Sequence, residues 1–79
     1  MDKEENEIKN KVQMKLAEFL GIDKDDVEDD FSLTEDLHMK PTDLTDFIEI
    51  LGGMGFNINH LDFSEIETFS ELIDALTLN

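Results

Sequence analysis

Apolar residues recur at helical spacing in three separate stretches of this chain and alternate along none of it. Ile8, Val12, Leu16, Phe19 and Leu20 line one face of a helix over about residues 5–20. Gly21 follows at once and suits the left-handed position just past a helix end, where a side chain would be strained. Leu44, Phe47, Ile48 and Leu51 predict a second helix over about 41–51. Pro41 fits its first position, where a missing N–H costs nothing. Asp43 faces the positive end of the helix dipole, and Gly52-Gly53 marks the end. Phe69, Leu72, Ile73 and Leu76 predict a third helix over 69–77. Thr68 and Glu71 form a capping box at its start, each side chain serving an orphan N–H near the other.

Two long segments join these helices. Ile22 and Val27 are apolar anchors in and beside the acidic run Asp23–Asp30, and Phe31–Leu37 reads as an ordered loop with a helical turn, tied down by Leu33 and Leu37. Phe56, Ile58 and Leu61 anchor the other segment, and Asp62–Ile66 is long enough for one short helix. The expected fold is all-α: a small bundle of three main helices plus one short helix, in a single domain spanning 1–79, with residues 1–6 frayed. The chain opens at Met1 and carries no linker composition, so it reads as one complete domain.

Composition narrows the function classes. Six basic against 21 acidic residues leave a net charge of −15. Such a chain opposes nucleic acid, whose phosphates need Lys and Arg, and equally opposes anionic membrane surfaces. It is attracted to basic protein surfaces. With no cysteine, disulfide scaffolds and thiolate metal sites are excluded, and a reducing, cytoplasmic location is expected. The first residues are acidic with no apolar run behind them, so neither signal peptide nor presequence is expected. A domain this small buries only about 60% of its unfolded surface. Its core therefore supplies about 3–5 kcal/mol.

The joint spacing of Ile8, Val12, Leu16, Leu20-Gly21-Ile22, Val27, Leu33 and Glu35-Asp36-Leu37 resembles the acyl carrier protein family. There a first helix ends in Leu-Gly-Val/Ile, a loop carries an anchoring valine, and Asp-Leu precedes the second helix. The resemblance resumes at Phe47, Ile48 and Leu51, and again at Ile66 and Thr68-Phe69, covering about nine-tenths of the chain. It implies the carrier fold, a second helix that docks on basic patches of partner enzymes, and a 4′-phosphopantetheine arm on the serine of Asp-Leu-Gly-x-Asp-Ser-Leu. Here Asp36-Leu37 is followed by His38-Met39-Lys40-Pro41-Thr42-Asp43-Leu44, so without a gap Pro41 stands at that serine. Proline has no hydroxyl to modify. Lys40 replaces the acidic residue before it. A shift of one place offers Thr42 and a shift of two places offers Asp43, but both move the helix-two stripe out of phase. Gly52-Gly53-Met54-Gly55 also departs from the family's acidic end of helix two.

Other candidate sites are weaker. A calcium loop from Asp23 would need an oxygen ligand at its fifth place and glycine at its sixth; these hold Val27 and Glu28, and the twelfth is Thr34. No metal site is expected. His38 and His60 lack cysteine partners and read as loop histidines, His38 beside the altered motif. Ser32, Ser64 and Ser70 have no adjacent base, so no nucleophile is expected and the chain is not read as an enzyme. Asp43, Asp46 and Glu49 form an acidic row on helix two, with Met39 and Ile50 as exposed apolar neighbours. The expectation is an acyl carrier homologue without the arm and without a cofactor. It would be a monomeric acidic docking module for a basic partner of acyl or peptidyl metabolism, such as fatty acid biosynthesis. The alternatives are a working carrier bearing 4′-phosphopantetheine on Thr42, a DNA-mimic inhibitor, and a paralogue drifted out of function.

Overall fold

The computed structural model describes residues 3–59 and 61–77. Three α-helices follow one another: α1 at Lys3–Leu20, α2 at Pro41–Gly53 and α3 at Phe69–Thr77. A 3-10 turn, Lys24–Asp26, lies in the first connection. There is no strand among the described residues, only an isolated antiparallel bridge between Ser32 and Thr68. The fold is all-α, and no described helix is long and apolar enough to cross a membrane.

Helix α1 contacts both α2 and α3. Among the described residues it is helical from Lys3 on. Val12, Leu16 and Ala17 are buried, with Ile8, Phe19 and Leu20 packed beside them. Its end is the one that Gly21 predicts. Gly21 adopts φ 71, its N–H donates to Glu18 O (3.3 Å), and the Ile22 N–H donates to Ala17 O (3.0 Å). These paired bonds satisfy carbonyls that a bare helix end would leave open.

Helix α2 continues through both glycines expected to end it. The stop comes at Gly55, with φ 97, where Gly55 N–H reaches Gly52 O (3.1 Å) and Phe56 N–H reaches Leu51 O (3.2 Å). Gly52 serves a different purpose: a Cβ there would sit 3.0 Å from Ile58 Cδ1, so glycine admits the second connection against the helix. Helix α3 starts at the expected residue and carries the expected cap. Glu71 N–H donates to Thr68 Oγ1 (3.2 Å), while Glu71 Oε1 accepts from the N–H groups of Thr68 (3.0 Å) and Glu67 (2.9 Å). Those backbone donors, Thr68's first, hold the Glu71 carboxyl below its ordinary pKa.

The short helix expected at Asp62–Ile66 is a hydrogen-bonded turn, with Glu65 and Ile66 N–H groups donating to Asp62 O. The short helical element that does form is the 3-10 turn in the acidic segment. Apolar periodicity does not mark it, because all three of its residues, Lys24, Asp25 and Asp26, are charged. Asp62 holds its own turn by accepting from the Ser64 hydroxyl (2.6 Å) and N–H (3.0 Å). The hydroxyl bond first, then the backbone bond, lowers its pKa.

The core takes Val12, Leu16 and Ala17 from α1, Phe47 and Leu51 from α2, and four residues of α3, Phe69, Leu72, Ile73 and Leu76. It also takes Val27, Leu33 and Met39 from the first connection. The Phe19 and Phe47 rings, 5.6 Å apart and tilted by 42°, link α1 to α2.

Candidate docking surface

Helix α2 begins on an exposed edge of the molecule. Lys40, its N-cap, gives no side-chain cap, because an ammonium has no lone pair to offer. Pro41 at N1 lacks an N–H and needs none. Asp43 reaches back instead, its Oδ2 accepting from the Lys40 N–H (3.0 Å). Thr45 donates its hydroxyl to Pro41 O (3.1 Å). Pro41 and Thr42 are both exposed. A phosphopantetheine arm requires a hydroxyl, so Pro41 does not fit that group; the Thr42 hydroxyl lies one residue further along.

The acidic row divides by task. Asp46 and Glu49 are exposed, whereas Asp43 is half-buried and engaged at the helix start. Helix α2 contains no basic residue, and residues 41–79 hold eight acidic side chains and no Lys or Arg. Neither exposed carboxylate therefore has an intrahelical cation three or four places away to neutralise it.

The apolar members of the surface differ from the expectation. Met39 is buried, only 4% exposed, and belongs to the core, so it is no surface contact. Its N–H donates to Leu33 O (3.0 Å), which fixes it inside the first connection. Ile50 is half-buried and packs against the core, as does Met54. Ile48, expected within the buried stripe, is half-exposed and packs outside the core cluster. The helix is thus rotated so that Phe47, Leu51, Ile50 and Met54 face inward. At about 100° per residue, Thr45 and Glu49 point away from Phe47, with Asp46 and Ile48 on opposite flanks. The outward face is Thr42, Thr45 and Glu49, flanked by Asp46 on one side and Ile48 on the other.

His38 stands in the left-handed region, φ 58, and is exposed. A non-glycine residue held there costs about 1–3 kcal/mol unless its surroundings impose it. They do so here: Leu37 N–H donates to Ser32 O (3.0 Å) on one side, and Met39 N–H to Leu33 O on the other. Under the ungapped match to Asp-Leu-Gly-x-Asp-Ser-Leu, His38 occupies the glycine place.

Sequence reasoning missed Gln13. Its Nε2 donates to Lys24 O and Val27 O, both at 2.9 Å, and so clamps the first connection onto α1. Gln13 is a polar residue beside the α1 stripe, and no local pattern distinguishes it from a solvated one. His60 lies outside the described residues. The described residues hold no group of three or more carboxylate or imidazole ligands fit for a metal ion. No family model matches the chain, and no curated protein matches it.

Proposed function

We propose that this chain is an acyl-carrier-type module without a phosphopantetheine arm, docking non-covalently through the outer face of α2 on a basic partner protein. The observation that carries the reading is Pro41 at N1 of an exposed α2, where the resembled family needs a serine. The left-handed His38 supports the ungapped register, because that register puts a glycine of the motif at the one described non-glycine residue with positive φ. The three helices and the long first connection accord with a carrier-type bundle. The partner belongs to acyl or peptidyl chemistry, and the module itself is a cytoplasmic monomer that catalyses nothing.

Docking rests on Asp46, Glu49 and Ile48, with Asp43 reserved for the helix start. Rim pairs of this kind change association rate more than affinity, at about 0.2–1 kcal/mol each. The test is intact mass after incubation with a phosphopantetheinyl transferase and coenzyme A. The mass should stay unchanged. A gain of one arm mapping to Thr42 would overturn the reading in favour of a working carrier.

A further inference from the structure

A second surface, separate from the outer face of α2, offers a cleft. It lies between the end of α1 and the first connection and has a volume of about 560 Å³. Leu20, Ile22, Phe31 and Leu37 give it apolar walls. Asp26, Glu28, Asp36 and His38 make up the rest of its lining. Its size falls within the range of ordinary ligand sites, which run about 300–1,000 Å³.

The walls are held in place. Ile22 is 38% exposed, yet its backbone is fixed by the bond to Ala17 O that closes α1. A hydrophobic residue at this position of a helix end usually folds back on the helix; here over a third of it stays in water. Asp36 is oriented by the Ser32 N–H, which donates to its Oδ2 at 2.7 Å. His38 is locked in its left-handed backbone by neighbours bonded on both sides.

We propose that this cleft receives a cationic–apolar segment of a partner protein: one bulky apolar side chain flanked by Lys or Arg. The apolar residue covers Ile22 and its neighbours, and the flanking cations meet Asp26, Glu28 and Asp36. Charge selects this occupant. Three carboxylates share the lining with four apolar side chains in a chain of net charge −15, so an anionic ligand is repelled. A neutral apolar ligand would cover the apolar side chains but leave the carboxylates uncompensated as the cleft dries. The cleft at the other end of α2 lacks this selectivity. It measures about 370 Å³ and carries one carboxylate, Glu7, beside one ammonium, Lys11.

The chain contains neither Trp nor Tyr, so an indole brought by a peptide is the only one present. The probe is the blocked tripeptide Arg-Trp-Arg, followed by indole emission and by amide chemical shifts of the isotopically labelled protein in about 0.15 M salt, where screening acts over ~8 Å. The expected result is a saturable blue shift, with amide changes confined to residues 20–38. Gln-Trp-Gln should bind several-fold more weakly, and Glu-Trp-Glu not measurably. Ile22→Ser should weaken binding about tenfold. Asp26→Asn with Glu28→Gln should reduce the preference for Arg-Trp-Arg over Gln-Trp-Gln. All of these positions are exposed, so helical circular dichroism should be retained.

Charge reversal of Asp46 and Glu49 to Lys should leave probe binding at the cleft unchanged. That variant separates this proposal from the α2 reading, which concerns a different face. Equal binding of all three peptides would overturn the charge-selected occupant. Wild-type affinity in Ile22→Ser, absence of saturation, or amide changes centred on α2 would overturn the site.

Discussion

The two long connections look alike as sequence and behave differently in space. Residues 21–40 and 54–68 each carry several apolar anchors among polar residues. The first contributes Val27, Leu33 and Met39 to the core. The second contributes Phe56, Ile58, Leu61, Phe63 and Ile66, all half-buried and packed only on the core's outside. The first is also stitched to distant elements. Phe69 N–H donates to Phe31 O (3.0 Å) and Ser70 N–H to Asp29 O (2.8 Å), while Leu33 N–H donates to Glu67 O (2.9 Å) at the far end of the second connection. Lys9 adds an ion pair to Asp29 at 2.7 Å, and Gln13 clamps two carbonyls. The described hydrogen bonds within residues 57–66 are local, as in Asn59 N–H to Asn57 Oδ1 (3.1 Å) and Ser64 to Asp62. Long-range backbone bonding and depth, not the number of apolar residues, make a loop part of a core.

Paired truncation separates the two connections by the largest margin. Leu33→Ala should cost about 2–5 kcal/mol, comparable to the about 3–5 kcal/mol that the core supplies. Phe63→Ala, taken from a half-buried site, should cost about 1–2 kcal/mol and leave a folded protein. Urea titration followed by far-UV circular dichroism measures both. Equal losses would show that the second connection carries as much of the core as the first.

Gln13→Leu isolates the side-chain clamp. It keeps the helix and most of the volume but strips a donor from Lys24 O and Val27 O. The loss should be about 1–2 kcal/mol, with amide exchange faster across 24–27 and unchanged across 57–66. A mutant as stable as the wild type would mean the clamp adds nothing to the burial, backbone bonds and ion pair that hold the first connection.

A smaller effect should come from His38→Gly. Glycine takes φ 58 without a Cβ penalty but loses more freedom on folding, so the net gain should reach about 1 kcal/mol at most. His38→Val should be destabilising, since a β-branched side chain at positive φ is a genuine outlier. A thermal melt of both variants in parallel reads the sign.

The smallest effect concerns pH, and it belongs to the second connection and its junction with α3. Asp62 and Glu71 both have lowered pKa values in the folded chain. A depressed folded pKa stabilises fully above the ordinary carboxylate value of about 4 and is lost as pH falls through the lower folded value. Acid should therefore loosen the Ser64 and Thr68 amides before the Leu33 amide, as seen by exchange or chemical shift between about pH 5 and pH 2. Glu71→Gln, which can still accept both backbone bonds, should flatten the Thr68 response and leave that of Ser64.

Local chemistry made the helices legible. A stripe such as Val12, Leu16 and Phe19, the Gly21 stop and the Thr68–Glu71 cap each depend on neighbours within a few residues. Their signals survive in one dimension, and the structure starts α3 where they predict. The candidate site was legible to the same depth: the acidic row on helix two and the proline at its start are sequence facts. Which carboxylates are free was not, because Asp43 is taken up by a backbone donor.

Tertiary structure alone decided between Ile48 and Ile50 and drew Met39 inward. Ile48 and Ile50 are two residues apart with the same side chain, and either can lie on a helical stripe beside Phe47. The assembled core takes Ile50 against it and leaves Ile48 outside, because burial depends on where the rest of the chain lies. Met39 enters the core for the same reason, and the exposed 3-10 turn is held by Gln13 from another helix. The Ser32–Thr68 bridge joins positions 36 residues apart, and no local preference encodes a contact at that range.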